Sequence, residues 1–299
     1  MHIQRGAWAE INLDAVAHNV QMAKANLKPT TKLCAVVKAD AYGHGAVRVA
    51  QEAARNGADF FAVALLQEGV KLREAGIETP ILVLGSMLPE VAEICVRYDI
   101  SHAVFDEERL YALNAAALKL HTKAKIHIKI DTGMHRIGVH VRDAGRFAKL
   151  AASLPGIYIE GVFSHFATAD ADDKQYAAYQ FERFQEALRL IEAEGVHIPI
   201  RHIANSAALT ELQEYQLDMV RQGITLYGLH PAHMIDCYKD FEPVMTVKTQ
   251  VAFVKTLPPG ETIGYGRTYT LTRPSVIATV PIGYADGVSR RLSNRGYML

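Results

Sequence analysis

From Lys32 onward the sequence alternates, roughly eight times, between short runs rich in Val, Ile and Phe and longer segments whose apolar residues recur at helical spacing. The runs are Leu33 to Val37, Phe60 to Leu65, Ile81 to Leu84, His102 to Phe105, Ile126 to Ile130, Ile157 to Phe163, Ile200 to Ala204 and Met219 to Ile224. Helical spacing appears at Ala46 to Asn56, Glu107 to Leu120, Ala144 to Ser153 and Gln175 to Glu194. A strand followed by a helix returns the chain to a parallel neighbour, and about eight such units close into an α/β (β/α)8 barrel. An open doubly wound sheet is the alternative. Asn56-Gly57, Ala75-Gly76 and Pro155-Gly156 supply residues suited to ending helices.

Two regions fall outside this rhythm. Ala7 to Leu13 reads as a strand and Asp14 to Asn26 as an amphipathic helix with Asp14 as N-cap. Past Pro243, Val244 to Val254 and Ser275 to Val280 alternate with period two around a Pro258-Pro259-Gly260 turn, which implies a mostly antiparallel second domain. Tyr297-Met298-Leu299 reads as the middle of a strand. The expected division is therefore a barrel domain over 1–240, including the amino-terminal strand, and a partial β-rich domain over 241–299.

With 49% apolar residues in 299, the chain can bury a barrel-sized core. Lys plus Arg and Asp plus Glu each number 32, so no overall basic field draws nucleic acid or anionic lipid. The three cysteines, Cys34, Cys95 and Cys237, are odd in number and widely spaced, which argues against a disulfide framework and a zinc site. No stretch of ~20 apolar residues occurs. These features predict a cytoplasmic protein acting on a small molecule, with no metal, nucleic acid or membrane partner.

Barrel chemistry sits where strands end, and here those ends are polar: Lys38, Lys129 with Asp131, His165, Asn205 with Ser206, and Arg221. A lysine closing an apolar strand pays a desolvation cost that lowers its pKa and favours attack of the neutral amine on a carbonyl. The plainer reading of Lys38 is a rim lysine reaching into water. Barrels often bind phosphate through the loops after strands seven and eight. Asn205-Ser206-Ala207-Ala208 offers a hydroxyl and amides at a helix start, and Gly223 allows close backbone approach. Ser206 read alone is equally an N-cap, and Gly223 a turn.

Taken together, Ala35 to Gly45, Lys129 to Gly138, Asn205-Ser206, Arg221 to Ile224 and Gly264-Tyr265-Gly266-Arg267 resemble the alanine racemases, in the family's order and from about Trp8 to the last residue. The resemblance implies a homodimeric isomerase that interconverts L-alanine and D-alanine with pyridoxal 5'-phosphate on Lys38, and supplies D-alanine for cell-wall synthesis. Racemisation needs a base on each face of a planar intermediate. Lys38 resembles one base and Tyr265, contributed by the partner subunit, the other. A free tyrosine has a pKa of ~10, so neighbours must favour its phenolate. His165 and Arg221, backed by His202, resemble those neighbours.

The same resemblance makes Tyr42, Ser206, Gly223 and Ile224 phosphate ligands and adds Asn205 and Tyr227 to the cofactor site. Arg221 would face the pyridine nitrogen and, because guanidinium keeps its proton, leave that nitrogen unprotonated and the ring a weaker electron sink. Arg136 resembles the residue that binds the cofactor's phenolic oxygen and lies near the substrate carboxylate. Tyr284 resembles part of the substrate entry. Lys129 resembles a lysine that the family often carbamylates to hold the arginine in place.

Family members continue past this chain's last residue, through a Cys-Met-Asp segment that contacts substrate and a later phosphate-binding tyrosine. The resemblance is thus to a C-terminally truncated member, and an inactive cofactor-binding fragment is one alternative function. A broader-specificity amino-acid racemase is another. A basic-amino-acid decarboxylase is disfavoured by the lack of a Glu-Pro-Gly-Arg stretch, and a lone-barrel pyridoxal-phosphate-binding protein by the β-rich tail.

Overall fold

The computed structural model describes residues 6–231 and 238–299; Cys237 lies outside them. The chain divides into two units. One comprises Asn12–Val244, and the other combines the amino-terminal strand with Met245–Leu299. That strand, β1 (Ala7–Ile11), pairs antiparallel with β11 (Met245–Thr249), from Ala7 opposite Thr249 to Ile11 opposite Met245. The expectation that it belongs with the barrel is corrected by this pairing. Five ladder residues tie it to sequence more than two hundred positions away, which no local pattern reveals.

In the larger unit the strands are β2 (Lys32–Val36), β3 (Phe60–Val63), β4 (Ile81–Val83), β5 (Ser101–Val104), β6 (Ala124–Asp131), β7 (Val139–His140), β8 (Ile157–Phe163), β9 (Ile200–His202) and β10 (Met219–Gln222). They pair in parallel in the order β10-β2-β3-β4-β5-β6-β8-β9, with β7 attached to β6. Between β9 and β10 there is no regular ladder. Two backbone bonds, Asp218 N–H to Arg201 O and Arg221 N–H to Ala204 O, both 3.1 Å, bring the ends together. The sheet is therefore a nearly closed eight-stranded barrel.

The core has two layers. Inside the barrel, Cys34, Val36, Phe60, Ala62, Leu82, Ile200 and Met219 form a packed cluster. Outside it, helices such as Ala46–Arg55, Glu107–Lys119 and Gln175–Ala193 bury one stripe each, for example Val49, Ala50 and Ala53 on the first. Helix Leu13–Ala25 is capped by Asn12 rather than Asp14: the Asn12 Oδ1 accepts from Asp14 N–H at 3.0 Å and Ala15 N–H at 3.2 Å. An Asn cap fits because the chain is still extended at Asn12.

The smaller unit is built of antiparallel pairs, as its sequence pattern implied. The period-two stretch Val244 to Val254 holds β11 and the start of β12 (Phe253–Leu257). Strand β12 pairs with β15 (Ser275–Thr279), and β13 (Thr262–Ile263) with β14 (Tyr269–Thr270). Tyr297-Met298-Leu299 forms no strand. Among the described residues, no helix is long and apolar enough to cross a membrane.

Candidate active site

At the carboxyl ends of the barrel strands lies a cavity of about 640 Å³ whose walls include Lys38, Tyr42, Lys129, Arg136, His165, Asn205, Ser206, Arg221, Gly223 and Ile224. These residues from five different β/α segments thus meet in one space. Four of them are basic side chains, two of these arginines, so the cavity suits an anionic ligand.

Lys38 does not end its strand. β2 stops at Val36, and Lys38 opens a turn in which Ala39, Asp40, Ala41 and Tyr42 all have φ between 51° and 56°. For L residues this left-handed conformation costs roughly 1–2 kcal/mol each. The turn closes on itself through Ala41 N–H to Val37 O and Gly43 N–H to Ala39 O, both 3.0 Å. Its effect is to place Lys38 and Tyr42 on one wall, with the Lys38 Nζ 5.7 Å from the Tyr42 ring centre.

Tyr42, Ser206 and Gly223 converge. A Cβ placed on Gly223 would lie 3.5 Å from the Tyr42 hydroxyl and 3.6 Å from the Ser206 Oγ. The helix beginning at Ser206 is capped by the Asn205 Oδ1, which accepts from Ala208 N–H at 3.1 Å. Ser206 is therefore not the cap, and its Oγ accepts instead from Gly223 N–H at 2.8 Å. Burial pushes the Tyr42 phenol up, which keeps it a donor. Tyr227, read as cofactor-binding, stands behind this group. Its hydroxyl donates to Val36 O at 2.8 Å, and its ring packs 4.9 Å from that of Tyr42.

Arg221 is buried and heavily hydrogen-bonded. Its Nη1 donates to His202 Nδ1 at 2.6 Å; its Nη2 donates to His165 Nδ1 and Ile203 O at 3.0 Å and to Ser164 O at 2.8 Å. Burial pushes its pKa down to about 10, which still leaves it charged at neutral pH. Both histidines accept from a guanidinium, so both are neutral there, and burial followed by the Arg221 charge holds each well below the usual histidine range.

Beyond His202 a polar column continues into the barrel. The His202 Nε2 and His127 Nδ1 are 2.9 Å apart, and His127 Nε2 donates to the Glu160 carboxylate at 3.0 Å. One tautomer assignment satisfies every link: Arg221 donates to His202, His202 to His127, and His127 to Glu160. A Cβ at Gly161 would stand 2.4 Å from His127 Nδ1, so glycine there makes room for the column. His127 and Glu160 were not expected from sequence. The available signal was a charged residue within otherwise largely apolar β8, and a histidine in line with Lys129 on alternating β6.

Lys129 is 4% exposed, with its Nζ 4.8 Å from the Phe163 ring centre. Burial, then the charges of Arg221 and Arg136, push its pKa well down. Arg136 is exposed at the cavity wall.

Two family models match the chain: "Alanine racemase, N-terminal domain" over residues 11–231 and "Alanine racemase, C-terminal domain" over 244–299. The chain belongs to the alanine racemase family. It is 46% identical over 295 residues to an alanine racemase of Desulfovibrio desulfuricans, spanning 99% of this chain and 80% of that protein. A similar match joins it to that of Halothermothrix orenii, at 46% identity over 99% of this chain and 78% of the relative. Among solved structures, the alanine racemase of Clostridium difficile 630 aligns with a TM-score of 0.91 and 40% identity, over 97% of this chain and 76% of the other. That of Bacillus anthracis with bound L-Ala-P gives 0.90 and 38%, over 98% and 76%.

Set beside its family, the chain carries the remaining expected residues in the smaller unit. Tyr265 opens a short 3-10 turn and is 98% exposed; Tyr284 opens another and is 72% exposed. The residues lining the barrel cavity all come from the larger unit, so neither tyrosine is among them.

Proposed function

We propose that this alanine racemase family member interconverts L-alanine and D-alanine with pyridoxal 5'-phosphate attached to Lys38. The observation carrying this reading is the convergence of Tyr42, Ser206 and Gly223 beside Lys38 in a cavity lined by four basic side chains. That set fits the cofactor: two hydroxyls, the close backbone approach at Gly223, whose N–H orients the Ser206 hydroxyl, and the neighbouring Ile224 suit a phosphate, an amine suits an aldehyde, and Arg136 suits a carboxylate. Asn205 and Tyr227 support it from behind, through the helix cap and the ring packed on Tyr42. Bound there, pyridoxal phosphate supplies an aldehyde that takes up the amino acid's nitrogen and a ring that disperses the electron pair left at Cα.

The chain's own groups move the proton. Lys38 Nζ takes it from, or returns it to, one face of the alanine Cα, and the Tyr265 phenol serves the opposite face. In this reading Tyr265 and the entry residue Tyr284 come from a second copy of the chain, which makes the active enzyme a homodimer. Their exposure is consistent with meeting another surface. Arg221, held by His165 and His202, would meet the ring nitrogen as a donor that keeps its own proton, so that nitrogen would stay unprotonated and delocalisation and side reactions would be limited. Lys129, nearly buried with a depressed pKa, is the nucleophilic amine that carbon dioxide requires, and its carbamate would offset the charges of Arg221 and Arg136. The product D-alanine would serve cell-wall precursor synthesis in the cytoplasm.

Borohydride reduction followed by peptide mapping tests the reading. Pyridoxal fixed at Lys38, with D-alanine formed from L-alanine in a coupled assay, is the expected result. Label on another lysine, or none, removes the proposal.

A further inference from the structure

Helix Leu66–Glu74 follows the second barrel strand, yet it grips the turn that follows the first. Glu68, in its first turn, accepts at Oε2 from Leu65 N–H at 3.0 Å and Ala64 N–H at 2.8 Å. Those two bonds are what a carboxylate near a helix start ordinarily makes. The third is not: Glu68 Oε1 accepts from Ala39 N–H at 2.5 Å, 29 positions earlier and in another β/α unit. Ala39 is the first of the four left-handed residues after Lys38, none of them glycine. Its N–H belongs to the peptide group that joins it to Lys38. One helical turn on, Lys71 meets Asp40 at 3.0 Å, while the same Asp40 oxygen accepts from Ala46 N–H at 3.1 Å.

We propose that Glu68 is a positioning residue for Lys38: it holds the Lys38–Ala39 peptide so that a conformation disfavoured for Ala, Asp, Ala and Tyr persists, and with it the placement of Lys38 and Tyr42 on the cavity wall. A helix cap needs no bond to a neighbouring unit, and a left-handed turn of four L residues needs an external hold. The Ala39 bond meets both conditions. The Lys71–Asp40 pair joins two exposed side chains and touches no backbone group of the turn, so it contributes little to its conformation.

This inference rests on the proposed role of Lys38, and the experiment separates the two. In Glu68→Gln the amide oxygen can still accept from Ala64 and Leu65, leaving an amino group that cannot accept from Ala39. Expected in the variant are a loss of hydrogen-exchange protection at the Ala39 amide by about tenfold, the upper range for one hydrogen bond at an exposed site, and a similar weakening of pyridoxal phosphate affinity. Protection across Leu66–Glu74 is unchanged, and kcat falls about tenfold with KM for alanine within about twofold. Adding Ala39→Gly, which relieves the left-handed cost, recovers at least about threefold of the lost affinity. Lys71→Ala stays within about twofold of the parent.

Unmodified protein that takes no label at Lys38 rejects the role of Lys38. Labelled parent protein with an unaltered Glu68→Gln variant overturns the role of Glu68. Equal loss of protection in helix and turn, or no recovery on adding Ala39→Gly, overturns it too.

Discussion

Replacing His202 tests the buried column most directly. His202 is fully buried, accepts from Arg221 Nη1 at 2.6 Å and lies 2.9 Å from His127. Leucine there removes the acceptor for a buried guanidinium. One charge-assisted hydrogen bond is worth about 1.5–3 kcal/mol, and leaving a buried charge short of a partner raises the loss toward 3–5 kcal/mol. Arg221 keeps three acceptors on its other amino group, so the expected cost is about 3 kcal/mol. Glutamine offers an acceptor and a donor at nearly the separation of the two imidazole nitrogens, so His202→Gln should cost only about 1 kcal/mol. Both changes lose the stacking on Phe163, which cancels in the comparison. Urea unfolding followed by far-ultraviolet circular dichroism measures the difference, because the only tryptophan, Trp8, lies in the other unit and does not report on the barrel. Equal costs for leucine and glutamine would refute the reasoning: the loss would then come from packing alone.

Stability should fall as pH drops through the range of ordinary histidine titration. Burial first, with the Arg221 charge next for His165 and His202, depresses the folded pKa of three histidines, and that of His102 to about 4. The unfolded chain then binds more protons below about 6.5, so the stability present above that pH is lost toward 4, by about 3 kcal/mol for His102 alone. Urea midpoints across that range check this, and His102→Phe should flatten the slope. Ser206→Ala should weaken pyridoxal phosphate about tenfold while leaving pyridoxal unaffected, read by absorbance titration; equal losses for both ligands would place Ser206 away from the phosphate. In buffer free of carbon dioxide, Lys129→Met should raise stability by about 1–2 kcal/mol by removing a buried amine beside two arginines. Bicarbonate should stabilise the parent protein and not this variant, with the carbamate located by intact mass and peptide analysis.

Barrel order was legible in the sequence because each apolar run and each helical stripe is a local pattern. Ile157–Phe163 and Ala144–Ser153 match their expected bounds, and the other barrel strands differ at their ends by one or two residues. The polar strand ends led in the same way to Lys38, Lys129, His165, Ser206 and Arg221, since in any barrel that face hosts chemistry. Strand β6 shows the limit. Lys125, His127, Lys129 and Asp131 alternate with Ala124, Ile126, Ile128 and Ile130, a pattern that ordinarily sends the polar residues to water. Here His127 and Lys129 are buried, because this sheet curls around its polar column while helices cover the apolar face.

What the amino-acid order determined by itself was periodicity, and hence which elements form and in what succession. Tertiary structure alone decided which face of β6 turns inward, that the chain turns left-handed after Lys38, and that Glu160 meets His127 and Glu68 meets Ala39. The two contacts join groups 29 and 33 positions apart, and it is the parallel pairing of neighbouring strands, β2 with β3 and β6 with β8, that brings them within hydrogen-bond range.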